Sequence, residues 1–96
     1  MSEFEIRREV NGSKGRYVIR HNGVEAELTY SVTSPTLVIA DHTGAPDALR
    51  GTGAAKALVA RLVEDAQAEG FKIVPLCPYV NSMRRRHPEW AEVFQT

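Results

Sequence analysis

Ninety-six residues suffice for one hydrophobic core and little else, so any site must share its elements with that core. Twelve basic residues balance twelve acidic ones, leaving no global field that would hold nucleic acid or an anionic membrane. One cysteine, Cys77, excludes an internal disulfide, and its apolar flank points to a reduced thiol. Nowhere do about 18 apolar residues run together, and Met1–Phe4 begins no signal-peptide core. The expectation is one domain over residues 1–96, cytoplasmic, without membrane or nucleic acid as partner, and a monomer or weak homodimer.

Phe4, Ile6 and Val10 share one parity before the turn-rich Asn11–Gly15, which predicts an edge strand and a loop. Tyr17 and Ile19 alternate with charged or small residues up to Asn22-Gly23, a strong hairpin signal. Beyond it Ala26, Leu28, Tyr30 and Val32 alternate with Glu25, Glu27, Thr29 and Ser31, completing a half-buried hairpin. Ser34-Pro35 closes that unit. Leu37, Val38 and Ile39 are three β-formers in succession, so Thr36–Ala40 reads as a central strand covered on both faces. Apolar positions 55, 58, 59, 62, 63 and 66 form a helical stripe, which Gly70 ends. Phe71–Cys77 reads as another strand, parallel to Thr36–Ala40 because a helix lies between them. Pro75 predicts that it parts from its neighbour near its end. Tyr79–His87 is a short helix stopped by Pro88, with Trp90 and Phe94 as anchors of the tail. The fold class is α+β, with a mixed antiparallel and parallel sheet and a β-α-β half.

Between strand and helix stands Arg50-Gly51-Thr52-Gly53-Ala54-Ala55. Glycines at a helix start let backbone N–H groups crowd an anion, and the first turn's unpaired N–H groups and dipole favour negative charge. A phosphorylated cofactor is implied. The dinucleotide fingerprint would need a glycine where Lys56 stands, and the nucleotide P-loop would need Lys-Ser/Thr where Lys56-Ala57 stands, so neither fits. Arg50, Gly53 and Ala55 instead give Arg-x-x-Gly-x-Ala, which resembles the pyrophosphate motif of the GNAT acyltransferase superfamily. His42-Thr43, Pro75-Leu76-Cys77-Pro78-Tyr79 and Arg85-Arg86-His87-Pro88-Glu89 extend the likeness to its short single-domain N-acetyltransferases, over roughly residues 16–90. These lack the helical pair that usually follows the first strand, and Gly15–Val32 leaves no room for one.

The resemblance implies acetyl-coenzyme A as cofactor and an amine, on a small molecule or a protein, as acceptor. The N–H groups of Gly51, Thr52, Gly53, Ala54, Ala55 and Lys56 would hold the pyrophosphate, with Arg50 adding charge-assisted contacts. Lys56 reads equally as a solvated helix residue. His42, as an imidazole, is a candidate base for the amine proton or a residue bonded to the following loop. Cys77 has three readings: a small buried hydrophobe, a proton donor or contact for the cofactor sulfur, or an acyl acceptor. Asn81 is a candidate for the pantetheine arm, and Arg85, within the run Arg84–Arg86, for the adenosine 3′-phosphate; a charged run on a short helix is also an ordinary solvated face. Gly44 and Met83 stand where relatives carry an acidic and an aromatic residue. His42, Cys77 and His87 lack the paired spacing of a zinc site, so no metal is expected. The rival class is a coenzyme A or acyl-CoA binding module with little transferase activity; a nucleic-acid-binding domain has only the arginine run in its favour.

Overall fold

Two-residue turns set the first half of the molecule. The computed structural model describes residues 4–49 and 51–96. Strands β1 (Ile6–Asn11), β2 (Lys14–His21), β3 (Val24–Ser34) and β4 (Leu37–Gly44) form an antiparallel meander. At the β2–β3 connection Asn22 and Gly23 both have positive φ, 53° and 77°, as a tight hairpin turn matched to strand twist demands. Helix α1 (Ala54–Glu69) then crosses to β5 (Lys72–Pro75), which pairs in parallel with β4. The sheet order is β1-β2-β3-β4-β5, and α2 (Pro78–Arg86) and a 3₁₀ segment (Pro88–Val93) complete the chain. Ile73 bridges Phe94 and accepts the Gln95 N–H at 2.8 Å, so the tail is stitched to β5. No helix among the described residues is long and apolar enough to cross a membrane.

Alternation places Tyr17, Ile19, Ala26, Leu28, Tyr30, Val38, Ala40 and Ile73 on one face, all buried in one cluster with Leu58, Leu62 and Val63 of α1 and Val80 and Met83 of α2. The opposite face carries charge: Arg16 reaches Glu9 at 2.8 Å and Glu27 at 2.7 Å, and Arg20 reaches Glu25 at 2.9 Å. Leu37 and Ile39, expected to be covered on both sides, are only half-buried because both helices lie on the other face. β4 is next to an edge strand, and the central strand is β3. β4 also continues four residues past Ala40, the end expected from its apolar run.

A polar knot joins the meander to α1. Tyr17 Oη donates to Asp65 Oδ2 at 2.7 Å, Arg8 Nη1 bonds the same oxygen at 3.2 Å, and Arg8 Nε donates to Tyr30 Oη at 3.0 Å. Tyr30 is 1% exposed and its ring lies directly over Gly15, where a built Cβ would stand 2.2 Å from Cζ. Arg8 holds the ring's far end, so it cannot swing aside. Gly15→Ala is therefore expected to destabilise the fold by about 1–3 kcal/mol through overpacking, read as a lower urea midpoint at unchanged m-value.

Burial, and then the bond to Asp65, push the Tyr17 hydroxyl well above its ordinary value of 10.0. The unfolded chain ionises first, so this contribution is complete below pH 10 and is lost as pH climbs beyond it. Stability is expected to fall as pH rises from about 10 to about 11, and Tyr17→Phe to flatten that fall. Parallel pH curves for both proteins in denaturant titrations would refute the assignment.

Candidate functional site

A β-bulge decides what β4 offers. Tyr30 pairs with Ala40 but Thr29 pairs with His42, so Asp41 is an extra residue without a partner in the β3–β4 register. The insertion resets the alternation: Ala40 and Thr43 share the helix side, with Thr43 opposite buried Leu28, while His42 stays on the open face and is exposed. Without it His42 would follow Ala40 inward. Its imidazole instead rests beside Gly44, with Nε2 3.4 Å from where a Cβ on Gly44 would stand and Glu27 Cγ 4.0 Å from the same point.

The neighbouring strand leaves just there. Pro75 has no N–H to donate, the Leu76 N–H turns back to Val74 O at 2.9 Å, and the Cys77 N–H makes a final bond to Ala40 O at 2.9 Å. Pro78 then starts α2 at its favoured first position. Thr43 Oγ1 and Cys77 Sγ lie 3.4 Å apart across the parted strands, and Cys77 is 3% exposed.

A cleft of about 500 Å³ opens from this point, lined by Thr43, Ala45, Leu49, Gly51, Gly53, Ala54, Ala55, Lys56 and Tyr79. Gly51 and Gly53 have φ of 81° and 86°, in the left-handed region that favours glycine. Thr52 caps the loop on itself: its N–H and Oγ1 both bond Leu49 O, at 3.2 and 2.6 Å, and its Oγ1 accepts the Ala54 N–H at 3.2 Å. Ala57 donates the first helical bond, to Gly53 O at 2.9 Å. The N–H groups of Ala55 and Lys56 have no partner among the described residues and stand at the positive end of a 16-residue helix. The expected cradle of six N–H groups thus narrows, because those of Thr52 and Ala54 are engaged within the loop. Arg50 lies outside the described residues.

Tyr79, on the first turn of α2, closes the cleft opposite the loop. Burial raises its hydroxyl pKa, and the Arg86 charge pulls the other way. Two residues proposed from sequence stand elsewhere. Asn81 does not line the cleft, and its Oδ1 accepts Arg84 Nε at 2.9 Å. Arg85 lines a separate hollow of about 260 Å³ with Arg84, Pro88 and Phe94. Another hollow of about 470 Å³, lined by Arg16, Glu25, Glu27, Gly44, Ala45 and Pro46, meets the cleft at Ala45, which lines both. Thr43 and Tyr79 are the residues that sequence reasoning passed over. Tyr79 stood within a quoted motif, whereas nothing in Asp41-His42-Thr43 marks a bulge.

Residues 16–93 match the family of GCN5-related N-acetyl-transferases. The chain belongs to that family. It is an N-acetyltransferase, and its mixed five-stranded sheet with helices is that family's fold. A GCN5-like protein from Staphylococcus aureus, solved by NMR in solution, is 30% identical, with a TM-score of 0.73 over 99% of this chain and 91% of its own. No curated protein matches the chain.

Sealing of Cys77 beside Thr43 makes its alkylation depend on local opening. Native protein is expected to react with iodoacetamide more than about tenfold slower than urea-unfolded protein. Equal rates by mass spectrometry would place the thiol outside this packing.

Proposed function

We propose that this N-acetyltransferase takes its acetyl group from acetyl-coenzyme A and transfers it to a primary amine of a small molecule or protein. The observation that carries this reading is the cleft of about 500 Å³, which joins the free N–H groups of Ala55 and Lys56 to Thr43 at the parting of β4 and β5. One end suits an anion and the other a narrow acyl arm. The residues present therefore fit the cofactor.

When bound, acetyl-coenzyme A supplies an activated acetyl thioester. Ala55 and Lys56, with Gly51 and Gly53 beside them, hold the pyrophosphate, and Thr43, backed by the buried Cys77 thiol, lines the thioester end. The hollow behind Ala45 admits the acceptor, and the His42 imidazole, alongside Gly44 and Glu27, takes the proton that the amine nitrogen sheds on acylation. Tyr79, which lines the cleft from the first turn of α2, donates a proton to the departing thiolate. A single buried free cysteine suits a cytoplasmic setting.

Gly53 is a poor place to test the cradle, because its φ of 86° would strain any side chain. Ala55 is helical and lines the cleft. Ala55→Glu sets a carboxylate where pyrophosphate would lie, while a negative charge in the first turn favours the helix by about 0.3–1 kcal/mol. Coenzyme A affinity is expected to fall about tenfold or more by calorimetry, with thermal stability unchanged or raised. Undiminished affinity would overturn the cradle. Wild-type protein is expected to release free thiol from acetyl-coenzyme A in the presence of an amine from a screened library, and His42→Gln to slow that release without weakening coenzyme A binding.

A further inference from the structure

Gly44 is a glycine that the fold does not ask for. The chain has seven. Five take positive φ and Gly15 lies under the Tyr30 ring, so each of these has a backbone or packing cause. Gly44 has neither. It ends β4 with its backbone outside the left-handed region, and a Cβ built on it would meet its nearest neighbours at ordinary contact distance: His42 Nε2 at 3.4 Å, His42 Cδ2 at 3.9 Å and Glu27 Cγ at 4.0 Å. Alanine would therefore fit, and glycine within a strand is the less stable choice because it frees the unfolded chain. A bare position that lowers stability and relieves no clash leaves space for something outside the chain.

That space lies at a junction. Gly44 pairs with Glu27 on β3 and follows His42 by two residues, so the three share the open face of the sheet. Gly44 also lines the hollow of about 470 Å³ together with Glu25, Glu27 and Ala45, and Ala45 carries that hollow over to the cleft. The missing side chain leaves a notch between the imidazole and the hollow, walled by His42 along the strand and by Glu27 across it. A carbon placed in the notch touches both walls. It has room for a methylene and none for a branched carbon.

We infer that Gly44 is a specificity-determining residue: the notch left by its missing side chain seats the CH2 beside the acceptor nitrogen, so the enzyme takes primary amines borne on an unbranched carbon. The inference rests on the reading above of His42 as the base for the acceptor. With the methylene against Gly44, the nitrogen it carries lies within reach of Nε2, and the charged rim of Arg16, Glu25 and Glu27 is left for the rest of the acceptor. A methyl group at position 44 fills the notch and holds the amine off the imidazole. A branch on the amine's own carbon does the same from the other side.

The test is a titration of wild type and G44A with n-butylamine and with sec-butylamine at fixed pH, followed through the imidazole Cε1–H resonances of His21, His42 and His87 by proton–carbon NMR. Wild type is expected to show a saturable shift of His42 alone, with sec-butylamine bound about tenfold more weakly than n-butylamine. G44A is expected to bind n-butylamine about tenfold more weakly, with its thermal midpoint equal or higher and its coenzyme A affinity by calorimetry unchanged. An unmoved His42 in wild type, equal affinity for the two amines, or undiminished affinity in G44A overturns the inference. So does a lowered thermal midpoint of G44A together with weaker coenzyme A binding, which would mean that the glycine serves the fold. Neither amine titration requires coenzyme A, so a wild type that fails to bind coenzyme A but discriminates the amines as expected sinks the cofactor reading and leaves the notch standing.

Discussion

The parting of β4 from β5 governs everything that makes this small sheet more than a packed layer. A parallel ladder continues only while each strand can donate, and Pro75 interrupts donation one residue before the chain must turn. The Leu76 N–H folds back on Val74 and the Cys77 N–H reaches the Ala40 carbonyl before Pro78 commits the chain to a helix. β4, paired with β3 on its other side, carries on to Gly44 without its neighbour. The gap is therefore made from the inability of one strand to follow the other, and both walls keep their hydrogen bonds.

One-sidedness is the second constraint. With both helices on one face, the sheet's other face must tolerate water, and it does so with ion pairs that individually contribute little, about 0.2–1 kcal/mol for exposed pairs. Their aliphatic stems also cover Val18, which is 1% exposed although its cross-strand neighbours are Arg7 and Glu27. The stronger tie runs through the sheet's helix side, where Arg8 and Tyr17 meet Asp65. There partial burial makes hydrogen bonds to a carboxylate more costly to lose.

Strands, the hairpin at Asn22-Gly23, the α1 stripe and its stop at Gly70 were legible because each has a local cause in turn chemistry or periodicity. The glycine loop was legible for the same reason. The facing of β4 was not. Apolar Leu37, Val38 and Ile39 look alike to a reader of periodicity, while burial separates Val38 from its neighbours only once both helices choose one face. Likewise, a bulge at Asp41 is a matter of register with β3, a relation between residues some ten positions apart in sequence, and it exchanges the places of His42 and Thr43. Charge order within Arg84–Arg86 could not be resolved either, since a run of like residues distributes itself by helical angle alone.

The connections have an asymmetry with a thermodynamic consequence. Residues 12–13, 22–23 and 35–36 suffice to join the first four strands, whereas β4 and β5 meet only after residues 45–71 have been looped between them. Closing the long loop costs more chain entropy than any hairpin, and its reward is a ladder of four residue pairs. The meander can thus be ordered while the parallel seam is still open. The seam is the pairing with the most loop entropy to offset, and anything that bound across it in the folded state alone would stabilise the molecule by mass action.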